Sequence, residues 1–230
     1  EELSNYVETS DEWITKRIGV KQRHVCTTET TADMGEQAAR RALENAGVRA
    51  EELDLIIGAT ISADTISPGL AGMVQNRIGA HCPAFDINVA CPGFLFALDT
   101  AAGFFERKTV KKVLVVSSER MSGLVDWTDR GTCCIFGDGS GAAVLGEGDS
   151  YLASELHTKG GEDVIAIPTW WNNSPFYQNE LRKNCVFMQG QETYKFAVTA
   201  MPADIKAVLE KAGLRGEDAV SYTHLRAHET

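Results

Sequence analysis

Three short apolar runs, separated by helix-periodic segments, set the narrowest limits on what this chain can become. The runs are 53–60 (LDLIIGAT), 83–90 (PAFDINVA) and 113–117 (VLVVS). The first and third have the continuous apolar character of strands buried on both faces. A helix is expected over about Ala32 to Ala46, with Met34, Ala38, Ala42 and Ala46 on one face and Gly47 as its stop. The next should use Ser67 as N-cap and Pro68 as first residue, bury Leu70, Val74 and Ile78, and close at Gly79. A third follows Cys91 and runs to about Arg107, with Phe94, Leu98, Ala101 and Phe105 on its inner side. Strands alternating with helices in this way imply an α/β fold around a largely parallel sheet.

The flanking segments are read by the same rules. Thr9 or Ser10 can cap a short helix that carries Asp11 and Glu12 in its first turn and ends at Gly19. Residues 133–145 (CCIFGDGSGAAVL) read as strand, glycine turn, strand. Residues 155–185, with adjacent Trp170 and Trp171, read as a connecting or substrate-side excursion. Gln191 to Ala212 is expected to be helical, with Tyr194, Val198, Met201, Ile205 and Leu209 on one face, a kink at Pro202 and a stop at Gly213.

Charge and cysteine usage exclude several function classes. The formal net charge of −10 repels nucleic acid and anionic membrane surfaces, and an acidic protein partner would need a local basic patch. No window approaches the roughly 18 consecutive apolar residues of a membrane span. The start of the chain is acidic and polar, without the features of a signal peptide. The six cysteines, at 26, 82, 91, 133, 134 and 185, form no CxxC and match no zinc spacing, so no metal site is expected. Together these features point to reduced thiols in a cytoplasm.

Cys91 is the candidate for chemistry. It stands where a strand meets a helix start, and the free amides and dipole of that start stabilise a thiolate. Pro92 loses no helical hydrogen bond at such a position, and Gly93 lets a substrate carbonyl approach the backbone. The same amides can hold a developing oxyanion. On the residues alone, the alternative of a small buried hydrophobe stands equally. The other cysteines, with Cys133 and Cys134 read as mid-strand, are assigned to packing.

The run 82–94 (CPAFDINVACPGF) resembles the nucleophile segment of the β-ketoacyl-acyl-carrier-protein synthase III family. Three more blocks agree in order. TSDEW at 9–13 with Arg17 resembles the start of that family's coenzyme A site, DWTDRGT at 126–132 followed by FGDG at 136–139 its central signature, and GQETYKF at 190–196 the opening of its second half. The resemblance covers about residues 1–219. It implies a thiolase-like fold, two similar α/β halves in an αβαβα sandwich, normally a homodimer. The first half would be nearly complete over 1–155 and the second only begun at 186–220, with 156–185 connecting them.

The resemblance also implies roles. Cys91 matches the acylated cysteine, Trp13 the aromatic that stacks on the coenzyme's adenine, Arg130 (followed by Gly131) the guanidinium on its opposite face, and Arg17 a residue near its phosphates. Gly190, Gln191 and Tyr194 match positions along the pantetheine tunnel. Trp13 could instead anchor a core, and Arg130 could simply pair with Asp126 or Asp129. The FGDGSG spacing is followed by a strand-like AAVL rather than a helix. It is therefore read as a tight turn beside the active site and not as a phosphate loop.

The activity implied is the initiating condensation of acyl-coenzyme A with malonyl-acyl-carrier protein, through an acyl-Cys91 intermediate and with no cofactor beyond the thioester. A hydroxymethylglutaryl-coenzyme A synthase, a type III polyketide synthase and a non-catalytic fragment are the competing readings. The family's catalytic His and Asn are expected beyond Val220. Residues 221–230 (SYTHLRAHET) do not resemble what should follow and read as a foreign tail, so His224 and His228 are not assigned to catalysis. The family's opening strand is expected before residue 1. Residues near 62–68 and 170–177 are candidates for shaping an acyl pocket.

Overall fold

A computed structural model describes residues 2–168, 175–176 and 185–219. Trp170, Trp171 and Tyr177, and the tail with His224 and His228, lie outside the described residues. The chain divides into two units, one formed by residues 24–121 and 137–152, the other by residues 1–23, 122–136 and 153–230.

The first unit is built on a four-stranded sheet. Its strands are β1 (Leu55–Ala59), β2 (Ala84–Ile87), β3 (Lys112–Arg120) and β4 (Asp138–Gly146), in the order β2-β1-β3-β4. β1 runs parallel to β2 and β3, and β4 closes the sheet antiparallel to β3. Every residue of β1 is buried, as its uninterrupted apolar run requires. Alternate residues serve opposite faces. Ile56, Leu114 and Val116 meet helices α2 (Thr31–Ala46) and α3 (Leu70–Ile78), while Leu55, Ile57, Val113 and Val115 meet α4 (Gly93–Glu106). The result is an α/β/α sandwich with a core on each side of the sheet.

Helix limits follow local chemistry. Thr30 and Asp33 form a reciprocal capping box at the start of α2. Gly47 and Gly79 end α2 and α3 with φ of 62° and 79°, a left-handed conformation that glycine adopts without a Cβ clash.

Three local expectations are corrected. The deeply buried stripe of α2 is Ala32, Gly35, Ala39 and Leu43, while Ala46 is exposed and Met34, Ala38 and Ala42 only flank it. Gly35 decides this, because a Cβ there would come within 3.0 Å of Leu70 and 3.2 Å of Val74. Secondly, α3 starts at Leu70 with Gly69 as its cap residue, and its first amides are satisfied from β2 by Asp86 rather than by Ser67. Thirdly, 133–145 is not strand, turn, strand. Cys133 ends a short helix, α5 (Arg130–Cys133), and Gly139 and Gly141 sit inside β4 opposite Glu119 and Ser117. Neither glycine has the positive φ that a tight turn of that kind would use.

The second unit holds α1 (Asp11–Ile18), α5, a small antiparallel pair formed by β5 (Ile165–Ala166) and β6 (Phe187–Met188), and α6 (Gly190–Ala212). Ser10 caps α1 and Gly19 ends it. Ile14, Val125, Cys133, Cys134 and Val186 form its core. α6 continues through Pro202, and Tyr194, Val198, Met201 and Ile205 on its apolar face are exposed.

Candidate active site

β1 and β2 run in the same direction, so their exits lie at one end of the sheet. The chain leaves β2 at Ile87, whose carbonyl accepts the Thr60 amide at 3.4 Å, and reaches Cys91 four residues later. Ala90 has φ 54°, uncommon for a residue with a Cβ, and its carbonyl accepts the Gly93 amide at 2.9 Å. This tight turn brings Cys91 to the start of α4. Pro92 is the cap residue, and the Phe96 amide bonds back to its carbonyl. The amides of Phe94 and Leu95 find no backbone acceptor among the described residues, as expected in the first turn of a helix. Gly93 keeps this turn tight, since a Cβ there would lie 3.2 Å from the Ala59 side chain.

Of the six cysteines, Cys91 alone is exposed. Burial pushes the Cys82 thiol up from its ordinary value, and burial with the nearby Asp138 carboxylate does the same to Cys26. Cys133 is pushed up to about 11 by burial and by its neighbour Cys134, whose sulfur is 4.0 Å away. Cys133 and Cys134 are thus buried packing residues, though at a helix end rather than in a strand. No group of three or more His, Cys, Asp or Glu suited to a metal occurs among the described residues.

The second unit gathers the Trp13 cluster. Trp13 sits in the first turn of α1, its amide held by the Ser10 hydroxyl at 3.1 Å. The Arg17 guanidinium, one turn on, is 5.3 Å from the Trp13 ring centre, and that of Arg130 is 4.8 Å from it. Arg130 also donates to the Glu8 carbonyl at 3.1 Å. Asp129 is engaged as the cap of α5, accepting from the Gly131 amide and the Thr132 hydroxyl at 2.8 Å each. An indole flanked by two guanidinium groups suits a ligand that combines a flat ring with phosphates. Gly190, Gln191 and Tyr194 begin α6 outside this cluster, on an end fixed by Gln189, which bonds the carbonyls of Val164 and Asp163 at 2.8 Å each. Tyr194 is 69% exposed.

Reading the sequence missed Asp86. Its carboxylate accepts the amides of Leu70 at 2.6 Å and Ala71 at 2.7 Å and fills the space left by Gly58 and Gly69, where a Cβ would overlap it. It thereby ties the start of α3 to the strand that delivers Cys91. The glycines were a usable signal, but only once their common neighbour is known.

An α/β/α sandwich that presents one exposed thiol at a strand-to-helix junction is the arrangement of thiolase-like acyl-transferring enzymes. The family model for 3-oxoacyl-[acyl-carrier-protein] synthase III matches residues 85–160. The β-ketoacyl-[acyl-carrier-protein] synthase III of Clostridium acetobutylicum is 43% identical over 223 residues, 95% of this chain and 69% of the relative. That of Caldanaerobacter subterraneus subsp. tengcongensis is 41% identical over 94% of this chain and 68% of its own length. Among solved structures, the 3-oxoacyl-[acyl-carrier-protein] synthase III from Aquifex aeolicus superposes with a TM-score of 0.84 at 39% identity, covering 94% of this chain and 68% of that one. The enzyme from Thermus thermophilus gives 0.85 at 36%, with the same coverage. The chain belongs to the β-ketoacyl-[acyl-carrier-protein] synthase III family.

Proposed function

We propose that Cys91 takes the acyl group of an acyl-coenzyme A and holds it as a thioester for condensation with malonyl-acyl-carrier protein, the initiating step of fatty acid biosynthesis. Acetyl-coenzyme A is the simplest primer. The observation that carries this reading is the exposed thiol on the Ala90–Gly93 turn, at the head of α4.

The thiolate attacks the thioester carbonyl, and the new C–S bond forms as the carbonyl π pair moves to oxygen. The unpaired amides at the start of α4 offer donors for that oxyanion. As the pair returns, the coenzyme's thiolate leaves and takes up a proton. Malonyl-carrier protein then loses carbon dioxide, and its carbanion attacks the acyl carbonyl and expels Cys91. Decarboxylation is the task of the His and Asn that the family resemblance places beyond Val220.

Trp13, Arg17 and Arg130 are assigned to the nucleotide end of coenzyme A by stacking and charge, and Gly190, Gln191 and Tyr194 to its pantetheine arm. No cofactor is required by this chemistry. A homodimer and a cytoplasmic location belong to the same proposal. No helix of the described residues is long and apolar enough to cross a membrane.

Incubation with acetyl-coenzyme A followed by intact-mass measurement tests the acyl transfer. One acetyl group should add to the chain, and Cys91→Ser should abolish it. An adduct that survives Cys91→Ser, or none in the unsubstituted chain, would overturn the assignment. A carrier-bound rather than coenzyme-bound product separates this reading from the hydroxymethylglutaryl-coenzyme A synthase and polyketide synthase alternatives.

A further inference from the structure

One half-buried acid remains without a role in this chemistry. Glu119 is near the end of β3, at the edge of the paired region where β1 has already left the sheet. Its carboxylate receives three donors from the three residues that follow Ala59. The Ile61 amide donates at 2.9 Å, the Thr60 hydroxyl at 3.3 Å, and the Ser62 hydroxyl also bonds to it. Both hydroxyls accept an amide in turn, Thr60 from Ser62 at 3.1 Å and Ser62 from Arg120 at 2.8 Å. Because an ionised carboxylate only accepts, each hydroxyl directs its proton at it while its own oxygen accepts an N–H. The network therefore has a fixed polarity that an acceptor-only group satisfies. Burial pushes the Glu119 carboxyl up from its ordinary value, opposed by these donors.

The segment so held adjoins the strand end that leads into the nucleophile turn, and the residue before it lies beside that turn. The Thr60 amide bonds to the Ile87 carbonyl, and Ala59, the residue before it, packs against Gly93 at the head of α4. The Ser117 hydroxyl fixes the Ala59 carbonyl at 3.1 Å. The far end of the segment is tied down as well. The Thr31 hydroxyl donates to the Ser62 carbonyl at 2.6 Å, and Asp64 accepts the amides of Thr31 and Ala32.

We propose that Glu119 is a positioning residue for acyl transfer: by pinning residues 60–62 it holds the wall of Ala59 against Gly93 and so fixes the turn that aims Cys91 and the first amides of α4. Glu119 touches neither substrate nor sulfur. The proposal rests on the assignment of Cys91 as acyl acceptor.

Glu119→Gln is the discriminating variant. It preserves shape, but its amide nitrogen must face a donor in either orientation, the Ile61 amide at one oxygen position or the two hydroxyls at the other, so at least one of the three bonds is lost or must reverse. Small displacements of a reacting group cost up to about 100-fold in rate. The expected result is a fall of about 10-fold or more in the single-turnover acetylation of Cys91 at saturating acetyl-coenzyme A, with KM changed less than about 3-fold. Thermal stability, measured alongside, corrects the rate for the folded fraction. Ser62→Ala removes one donor while leaving the carboxylate, and should give an intermediate loss. It keeps the test alive if Glu119→Gln does not fold.

Alkylation of Cys91 by iodoacetamide reads the same turn without any thioester. The rate in Glu119→Gln should fall at least about 3-fold, since nucleophilic reactivity follows the local environment of the sulfur. Failure of the unsubstituted chain to take acetyl counts against the acyl-acceptor reading and leaves this assay decisive for positioning. Acetylation and alkylation rates within about 1.5-fold of the unsubstituted chain, or a loss confined to KM, would overturn the proposal.

Discussion

Replacing Asp86 by Ala should destabilise the sheet unit far more than a half-buried polar residue ordinarily would. The carboxylate accepts two short hydrogen bonds, at 2.6 and 2.7 Å, from the amides of Leu70 and Ala71. Both of those residues are 0% exposed, so water has little access to the amides once the carboxylate is gone. Bonds to a charged acceptor contribute about 1.5–3 kcal/mol each. They are not independent, and loss of a helix N-cap as a unit costs about 0.5–2 kcal/mol. Taking the pair together gives about 3 kcal/mol, a loss of about 6–12 °C in Tm for a chain of this size.

A second substitution makes the reasoning specific. A Cβ at Gly58 would overlap the Asp86 carboxylate, and would also lie 3.1 Å from the Ala71 amide nitrogen. Gly58→Ala should therefore be costly in the native chain and less costly, by about 1 kcal/mol or more, once Asp86 is Ala. Thermal melts by far-UV circular dichroism on the two single variants and the double variant measure both quantities. A Tm for Asp86→Ala within about 2 °C of the unsubstituted chain, or strictly additive effects, would refute the capping account.

Other outcomes follow from separate features. Arg130→Ala should raise KM for acetyl-coenzyme A about 5-fold, the loss of about 1 kcal/mol in stacking on a flat cationic face, with little change in kcat; steady-state kinetics decide it. Iodoacetamide on the native chain at neutral pH should label Cys91 well before Cys133, which burial and its neighbour keep protonated to about pH 11, and mass mapping of the labelled peptides checks the order. Glu52 is held down to about 2, first by the hydrogen bond from Lys112 and then by bonds from Arg49. Its folded value lies below the unfolded one, so its contribution is present above the unfolded carboxylate range and is lost as pH falls toward about 2. Glu52→Gln should flatten that acid limb in a plot of Tm against pH.

Much of the local structure is legible in single segments. Gly19, Gly47, Gly79 and Gly213 all end helices with left-handed backbones, because the requirement for positive φ is met or failed by one residue. β1 is readable from its unbroken apolar run, and Cys91 from its place between a strand and Pro92-Gly93. The glycines of 137–141 mislead for the complementary reason. Glycine permits a turn without demanding one, and pairing with β3 holds the segment extended.

The sequence by itself determined where helices stop, which runs are buried on both faces, and which cysteine stands at a helix start, since each depends on neighbours within a few residues. Only the tertiary structure decided which stripe of α2 faces inward, that Asp86 caps a helix from another strand, and that Glu119 holds the exit of β1 beside the nucleophile turn. Those outcomes depend on close approaches between segments far apart in the chain. The energy of such contacts arises only when packing removes water from both partners at once.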